Sequence, residues 1–331
     1  MTKPTIRDVA DLAEVSINTV SRALNGKPDV HPTTRAAVLE AARQLNYVPN
    51  RLARRLRTDR TGVFGVIVAD ISNPFFAMVV KGMGDAVRDL ECSLILQDSG
   101  EALERELEAI HVMRSEHVDS ILITPTRFRD GSVDALRSTG VPFVLVGRTF
   151  GDAETDHVAP DDEQVGRLAT SHLLDRGHRR IALINGPENN SSAHGRRSGY
   201  LAALAERGAT SSPDLQRSEA LTLEDGRRFA LELLTQTAER PTAVFAFSDL
   251  VALGAVQAIR EMGMTIPDDV AIVGCDDIPF GACLEVPLTS VRIPTHAMGR
   301  EAVAIADRRL SGDRTAAQVK MPVELIVRDS S

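Results

Sequence analysis

The chain has 331 residues, of which 43% are hydrophobic, and a formal net charge of −8. A chain of this length buries a large core and is expected to form about two or three domains. It lacks both a run of about 18 apolar residues and a secretory signal, which excludes a membrane span and predicts a cytoplasmic protein. Its three cysteines lack metal-ligand spacing, so we expect reduced thiols, no metal and no cofactor.

Charge is distributed unevenly along the chain. Residues 1–60 carry 11 lysines and arginines against 6 aspartates and glutamates, whereas residues 61–331 carry 27 against 40. A basic segment joined to an acidic one indicates a polyanionic partner for the basic end. A solvated basic terminus without a partner is the alternative that charge alone leaves open.

The first 45 residues predict three short helices. Thr5 and Asp8 form a capping box that opens the first helix, TIRDVADLA. A third helix is predicted from about Thr33 to Leu45. We therefore expect a small all-α domain over residues 1–45, with a core built from the apolar faces of its helices.

The second helix, INTVSRAL, carries the candidate DNA-binding residues. Ser16 caps it, and Val20 and Leu24 turn toward the core. Four residues lie on its other faces: Ile17, Asn18, Ser21 and Arg22. A helix, a short turn and a second helix that is polar at its start match the geometry that seats a recognition helix in the major groove. An ordinary bundle helix with a solvated arginine is the alternative.

A basic segment follows the three helices. Five arginines lie within residues 51–60, and Ala53 and Leu56 share an apolar stripe among them. A helix this short is unstable alone in water. If two copies paired over DNA, arginines such as Arg57 would meet phosphates, and Leu56 would act as a wedge that kinks the duplex from the minor groove. We assign residues 46–60 to a hinge helix that folds on binding.

Four motifs of this basic end occur in the same order in a known family. They are TIRDVADLAEVSINTVSRALNG, the pair Thr34 and Arg35, LNYVPN at 45–50 and LARRL at 52–56. Together they resemble the lactose-repressor (LacI/GalR) family of bacterial transcription regulators. The resemblance implies a nucleoid-associated homodimer that binds a pseudopalindromic operator in double-stranded DNA. It also implies that Ile17, Asn18 and Arg22 read base edges, and that Leu56 intercalates with Ala53 beside it.

The residue chemistry agrees with base reading. Arginine pairs with guanine and asparagine with adenine through two hydrogen bonds each, and the basic hinge of residues 46–60, which contains Asn50, supplies attraction to phosphate. Two positions depart from the family. His31 stands where a serine often caps the third helix, and Glu14 stands where glycine is usual. If that turn needs a positive φ, Glu14 costs about 1 kcal/mol.

From Thr61 onward, apolar strands alternate with helices. Strands are predicted at VFGVIVADI, SLILQ, SILIT, VPFVLVG, HVAPD, RIALING, SEALT, AVFAFSD and VAIVGCDD. This alternation predicts parallel sheets in two doubly wound lobes. TSVRIP crosses back, so that the helix after Thr295 and the last strand, MPVELIVRD, belong partly to the first lobe. The expected lobes are residues of about 61–158 with 293–325, and about 159–292.

Two such lobes form a clamshell with a ligand site between them, at the carboxyl ends of the strands. This arrangement also resembles the family, whose sensor domain is similar to periplasmic sugar-binding proteins. The expected fold is therefore a small all-α helix-turn-helix head with a hinge helix, followed by an α/β periplasmic-binding-protein-like sensor. Residues 61–331 are expected to bind a small effector, a sugar or sugar derivative, and to mediate dimerisation.

The loop after the first strand supplies three effector-binding candidates. ADISNPFF contains Asn73, whose amide can bond a hydroxyl, and Phe75 and Phe76, whose rings can stack on a sugar. Packing within the core is the alternative for the two rings. We expect one of them to be exposed.

Five further candidates follow other strands. The resemblance implies that Arg196 in HGRRSGY and Asp276 in GCDD are ligand residues, and it aligns Ser248 with a position where asparagine is usual. Arg148 and Asn190 lie at the ends of other predicted strands. An arginine and an aspartate that face each other can clamp neighbouring hydroxyls, which favours a neutral polyol.

A repressor is the leading hypothesis for function, and a ligand-responsive activator of the same fold is the first alternative. A sugar-processing enzyme is a distant alternative, because GxGxxG, GxxxxGK[ST] and GxSxG are all absent from the sequence and its histidines form no triad. No leucine heptad follows Arg328, so we expect a dimer and not a tetramer.

Overall fold

The structure is a computed structural model that describes residues 4–24, 27, 29–47, 60–126, 131–150, 155–237 and 239–331. The chain divides into two compact units, the N-terminal unit (residues 1–61) and the C-terminal unit (residues 62–331). The candidates from the hinge segment lie outside the described residues: Asn50, Ala53, Leu56 and Arg57. Among the described helices, none is long and apolar enough to cross a membrane.

The N-terminal unit contains the three predicted helices, α1 (Ile6–Leu12), α2 (Ile17–Leu24) and α3 (Pro32–Gln44). The capping box is present, since the amide of Thr5 donates to Asp8 Oδ2 and the amide of Asp8 donates to Thr5 Oγ1. Ser16 caps α2 by accepting from the amide of Thr19 at 3.0 Å. Leu24 is only half-buried. The buried core consists of Val9, Ala10, Val20, Ala23, Val30, Val38, Ala41 and Ala42.

The turn between α1 and α2 places Glu14 in the left-handed region, with a φ of 52°. The amide of Val15 closes the turn by donating to the carbonyl of Ala10 at 3.0 Å. Of the two alternatives at this turn, Glu14 therefore adopts the positive φ, at a cost of about 1 kcal/mol relative to glycine. His31 does not cap α3, and its Nδ1 instead lies 2.8 Å from Thr33 Oγ1.

The C-terminal unit contains two sheets of six strands each among the described residues. The first consists of β1 (Val63–Val68), β2 (Ser93–Asp98), β3 (Ser120–Ile123), β4 (Phe143–Val146), β5 (His157–Pro160) and β11 (Gln318–Met321). The second consists of β6 (Ile181–Ile184), β7 (Gln216–Arg217), β8 (Ala243–Ala246), β9 (Ala271–Asp276), β10 (Thr289–Arg292) and β12 (Glu324–Ile326). Their spatial orders are β11-β5-β4-β3-β1-β2 and β12-β10-β9-β8-β6-β7.

Helices flank each sheet and make it a doubly wound lobe, as the sequence predicted. The first lobe carries α4 (Pro74–Asp89), α5 (Leu103–Ser115), α6 (Ser132–Thr139) and α11 (Thr295–Leu310). The second lobe carries α7 (Asp162–Asp175), α8 (Ser191–Glu206), α9 (Leu223–Gln236) and α10 (Asp249–Glu261). Because helices cover both faces, strands β3, β6 and β8 are buried at every residue. Neighbouring strands are parallel, except that β10 and β12 are antiparallel.

The last strand differs from the prediction. Only Met321 of MPVELIVRD belongs to the first sheet, as the last residue of β11, and the chain then crosses at Pro322 to the second sheet, where Glu324–Ile326 forms β12. Proline lacks the amide that a continuing ladder would need. In the second lobe the hydroxyl of Ser330 donates to the carbonyl of Ile272 at 2.6 Å. The chain from residue 324 onward therefore packs with the second lobe, and α11 packs with the first lobe as expected.

The C-terminal unit lacks one predicted strand, and its two lobes are joined by short connections of backbone. The predicted strand SEALT is not formed, since β7 precedes it and Glu219 adopts a φ of 72° that ends the extended conformation. In the described part of the chain, the backbone passes between the lobes three times: at residue 161, at 293–294 and at 322–323.

Candidate functional site

A cavity of about 320 Å³ lies between the two lobes, at the carboxyl ends of the strands. The first lobe lines it with Asp70, Asn73, Phe75, Phe76, Gly100, Glu101, Thr124, Gly147 and Arg148. The second lobe lines it with Ser192, Arg196, Leu221, Thr222, Asp225, Phe247, Ser248 and Asp276. Seven of the eight residues that the sequence predicted for effector binding thus converge on one space.

The loop after β1 contributes an amide and two aromatic rings. Asn73 caps α4, because its Oδ1 accepts from the amide of Phe75 at 3.0 Å. The rings of Phe75 and Phe76 pack edge to face with centroids 5.1 Å apart. Both side chains are buried, so the expectation that one of them is exposed is wrong. The reason is that α4 begins at Pro74 and carries both residues into the wall of the cavity.

Arg148 is engaged by a carboxylate of its own lobe. Its Nη1 donates to Glu101 Oε2 at 2.8 Å and to the carbonyl of Pro125 at 3.0 Å, and its Nη2 donates to Glu101 Oε1 at 2.6 Å. The guanidinium carbon lies 6.0 Å from the centroid of Phe76. Arg148 therefore reaches the cavity as half of a bidentate ion pair.

Arg196 is held from the second lobe by two packed helices. Its Nε donates to Asp162 Oδ1 at 3.0 Å, another of its nitrogens donates to the carbonyl of Phe247, and the guanidinium carbon lies 4.5 Å from the centroid of that ring. Helices α7 and α8 approach closely at Gly166 and Gly199, where an added Cβ would overlap the backbone of the opposite helix. This close approach brings Arg196 within reach of Asp162.

Two aspartates, Asp276 at the end of β9 and Asp249 after β8, occupy different positions relative to the cavity. Asp276 lines the cavity with a φ of 113°, and burial raises its pKa well above the usual range although Arg196 opposes that shift. Asp249 lies behind the lining, where it accepts from the hydroxyl of Ser290 at 2.7 Å and the amide of Ile278 at 2.8 Å. Burial raises the pKa of Asp249 to about 7. Ser248 caps α10 and lines the cavity.

Asn190 is the one predicted effector residue that the structure does not bring to the cavity. Its Oδ1 accepts from the amide of Ser192 at 2.9 Å, which makes Asn190 the cap of α8. The neighbouring serines connect the lobes instead: Ser191 Oγ accepts from the amide of Thr149 at 3.0 Å, and Ser192 Oγ donates to the carbonyl of Gly147 at 3.2 Å.

Sequence reasoning missed several lining residues. Glu101 and Thr124 follow β2 and β3, so the rule that ligand sites lie at strand ends could have found them. Asp225 lines the cavity from the first turn of α9, where it completes a capping box with Thr222. Hydrogen bonds from Thr222 and Arg228 lower the pKa of Asp225, although burial opposes this.

The recognition helix of the N-terminal unit presents its predicted residues to solvent. Ile17 is 42% exposed, Asn18 and Arg22 are exposed, and Ser21 is half-buried. The guanidinium of Arg22 forms an ion pair with the carboxylate of Asp29. Arg22, which the sequence predicts to read guanine, is therefore paired with a carboxylate of its own unit.

Comparisons with known proteins agree with both units. The model described as bacterial regulatory proteins, lacI family, matches residues 5–50, and the model described as a periplasmic binding protein-like domain matches residues 170–331. The HTH-type transcriptional regulator CelR of Thermobifida fusca is 36% identical over 336 aligned residues, covering 99% of this chain and 98% of that protein. The chain belongs to the lacI family of bacterial regulatory proteins. It is a DNA-binding transcriptional regulator.

Two solved structures are similar to the regulator. The complex of the transcriptional regulator CelR with cellobiose has a TM-score of 0.77 and 34% identity, covering 99% of this chain and 100% of that one. The lac repressor dimer bound to operator and the anti-inducer ONPF has a TM-score of 0.87 and 27% identity, covering 99% of each chain. The regulator thus has the lacI-type helix-turn-helix and the two-lobed sensor of this family.

Proposed function

We propose that the regulator is a homodimeric repressor whose affinity for a pseudopalindromic operator is controlled by a neutral sugar between its lobes. One observation carries the proposal: hydrogen-bonding groups and aromatic rings from both lobes converge on one cavity at the strand ends. The relatives support it, because they include a regulator in complex with cellobiose and a repressor dimer on its operator.

The proposed effector site combines aromatic walls with a polar clamp. The rings from the loop after β1 offer apolar contact to the C–H faces of a sugar. Arg196 and Asp276 offer charge-assisted hydrogen bonds to neighbouring hydroxyls from the opposite lobe. The residues proposed to contact the effector are Asn73, Phe75, Phe76, Arg148, Arg196, Ser248 and Asp276.

Control of DNA binding follows from the position of this site between the lobes. A sugar that contacts Phe76 in the first lobe and Arg196 in the second binds most tightly to one arrangement of the two. The sugar therefore shifts the population toward that arrangement, by as much as its affinities for the two arrangements differ. Paired hinge helices over DNA are the proposed element that responds.

The proposed DNA contacts divide into two groups. Ile17, Asn18, Ser21 and Arg22 are exposed or partly exposed on the recognition helix and would face base edges and phosphates in the major groove. In the hinge, Leu56 is proposed as the wedge with Ala53 beside it, and Asn50 and Arg57 are proposed to contact the backbone of the DNA.

The experiment combines operator selection with effector titration. Full-length protein selects sites from random duplexes at fixed moderate salt, and fluorescence anisotropy measures affinity for the selected site with and without cellobiose and other mono- and disaccharides. We expect a palindromic site bound at least about 10³-fold more tightly than random DNA, and a sugar that changes this affinity. The absence of any preference over random competitor would contradict the proposal.

Two further readouts separate the alternatives. Transcription in vitro from a promoter that contains the selected site distinguishes a repressor, which lowers transcript yield, from an activator, which raises it. Turnover of a sugar by protein that binds no operator would favour the enzyme alternative.

A further inference from the structure

The charged residues of the cavity are mostly carboxylates. Its lining contains four acidic side chains and two arginines: Asp70, Glu101, Asp225, Asp276, Arg148 and Arg196. Each arginine is already bonded to a carboxylate, Arg148 to Glu101 and Arg196 to Asp162. Within the described lining, a ligand therefore meets two guanidiniums that are already paired and an excess of acidic side chains.

The pair in the first lobe is held rigidly. Glu101 and Arg148 are joined by two short hydrogen bonds, and their side chains are only 19% and 8% exposed. The backbone after β2 is left-handed at both Gly100 and Glu101, with φ of 55° and 57°. Asp98 stabilises this turn by accepting from the amide of Gly100 at 2.7 Å, and the amide of Glu101 donates to Ala69 at 2.8 Å. The turn thus directs the carboxylate of Glu101 at Arg148.

Among the described residues that line the cavity, the second lobe offers a ligand no unpaired positive charge. Arg196 is bonded to the buried carboxylate of Asp162 and to a backbone carbonyl. Asp225 is paired with Arg228, which does not belong to the described lining of the cavity. A phosphate placed here would bring about −1.5 to −2 charges next to these carboxylates. Burying such a charge without a free cation is costly.

We propose that Glu101 is a specificity-determining residue that excludes anionic effectors, those with a phosphate or carboxylate, and restricts the site to uncharged sugars. This inference rests on the proposed function of the cavity as a sugar site. Glu101 acts by neutralising Arg148, because an unpaired guanidinium in the same position would bind phosphate or carboxylate bidentately. Glu101 is therefore the residue whose charge decides between a sugar and its phosphate ester.

The test is the substitution Glu101→Gln, which keeps an oxygen for Arg148 and removes the negative charge. Isothermal titration and thermal shift at constant ionic strength compare glucose with glucose 6-phosphate, cellobiose with cellobionate, and inorganic phosphate alone. We expect the variant to bind glucose 6-phosphate and inorganic phosphate at least about tenfold more tightly than the wild type, equivalent to about 1.4 kcal/mol. Affinity for the neutral sugars is expected to change less.

Three variants control the result. Glu104→Gln removes the same charge from an exposed position in the first turn of α5 and is expected to leave anion binding unchanged. The double variant Glu101→Gln with Arg148→Gln is expected to lose the gained affinity, since the freed guanidinium is gone. Glu101→Ala removes the whole carboxylate, leaves the guanidinium of Arg148 without that partner and is also expected to gain anion binding. This second variant keeps the test decisive if Glu101→Gln does not fold.

The outcomes separate this inference from the proposed function. If Glu101→Gln and Glu101→Ala gain no more affinity for phosphate groups than Glu104→Gln, the inference is wrong. Tighter binding of glucose 6-phosphate than of glucose by the wild type also overturns it. A wild type that binds no sugar and whose DNA affinity no sugar changes contradicts the sugar-sensing proposal, while the inorganic phosphate measurements still decide the role of Glu101.

Discussion

The Nε of Arg196 lies 3.0 Å from Oδ1 of Asp162, in an ion pair that joins α8 to the start of α7. The two side chains are 5% and 11% exposed, so neither charge has much water around it. Burial raises the pKa of Asp162, and the positive charge of Arg196 opposes that shift. Removal of one partner would leave the other charge buried and unpaired, which makes this pair a sensitive point of the second lobe.

Arg196→Ala is expected to lower the unfolding free energy by about 3–5 kcal/mol and to abolish the response of DNA binding to sugar. Urea denaturation measures the first effect, and anisotropy with labelled operator measures the second. Arg197→Ala is the matched control, because Arg197 is exposed and its Nε donates to Gln216 Oε1 at 2.9 Å, away from the carboxylates of the cavity. A folded Arg196→Ala protein with an unchanged sugar response would remove Arg196 from the effector site.

The C-terminal unit is expected to lose stability as pH rises from about 4 to about 7. Burial raises the pKa of Asp249 to about 7, although hydrogen bonds from Ser290 and Ile278 oppose this, and an unfolded aspartate titrates near pH 4. Between these values the folded state keeps a proton that the unfolded state has released, so a higher pH favours unfolding. The raised pKa of Asp276 acts in the same direction.

Asp249→Asn tests this expectation, because asparagine does not titrate and the hydroxyl of Ser290 can reverse its hydrogen bond. Urea denaturation at pH 5 and pH 8 is expected to show a smaller difference for the variant than for the wild type. Asp268→Asn, at an exposed position, is expected to behave like the wild type. Equal losses of stability in the wild type and Asp249→Asn would show that this carboxyl does not carry the pH dependence.

Asp29→Asn is expected to tighten binding to the selected operator by about 0.2–1 kcal/mol, which is up to about fivefold. The substitution removes the ion pair between Arg22 and Asp29. Binding to DNA then no longer requires that this pair be broken before the guanidinium of Arg22 bonds a guanine. Anisotropy at several salt concentrations measures the change. In an Arg22→Ala background the gain should shrink, and an equal gain in both backgrounds would mean that Asp29 acts only through general repulsion of phosphate.

Glu14→Gly is expected to raise the unfolding free energy of the N-terminal unit by about 1 kcal/mol, because glycine adopts a φ of 52° without steric cost. Chemical denaturation of the full chain, followed by circular dichroism, measures the change. Glu14→Ala removes the carboxylate but keeps the Cβ, so it separates backbone strain from charge. Equal stabilisation by alanine and glycine would contradict the strain explanation.

Local signals in the sequence were sufficient for much of the fold. The starts of α1 and α2 were predicted correctly because each depends on a cap only three residues away in sequence. Thr5 and Asp8 cap α1, and Ser16 caps α2. The alternation of strands and helices likewise predicted both doubly wound lobes. The resemblance to the family, and not a local pattern, indicated Arg196 and Asp276 as ligand residues, and both line the cavity.

Several of the differences from the prediction concern contacts between distant segments. The partners Glu101 and Arg148 are 47 residues apart, so no local pattern connects them. Whether Phe75 or Phe76 is exposed depends on the direction of α4 relative to the sheet, which composition does not reveal. MPVELIVRD reads as one apolar strand, and its pattern does not reveal that the residues before and after Pro322 join different sheets.

The three passages of backbone between the lobes limit how the sensor can move. Each connector is only one or two residues long, at 161, 293–294 and 322–323, so none can stretch by more than a few ångströms. Sliding or separation of the lobes would strain these tethers, whereas a bend of the backbone at the three connectors would not lengthen them. A small molecule bound between the lobes is therefore expected to change the angle between them and not their separation, and proteolytic cleavage of any one connector would still leave the lobes joined by the other two.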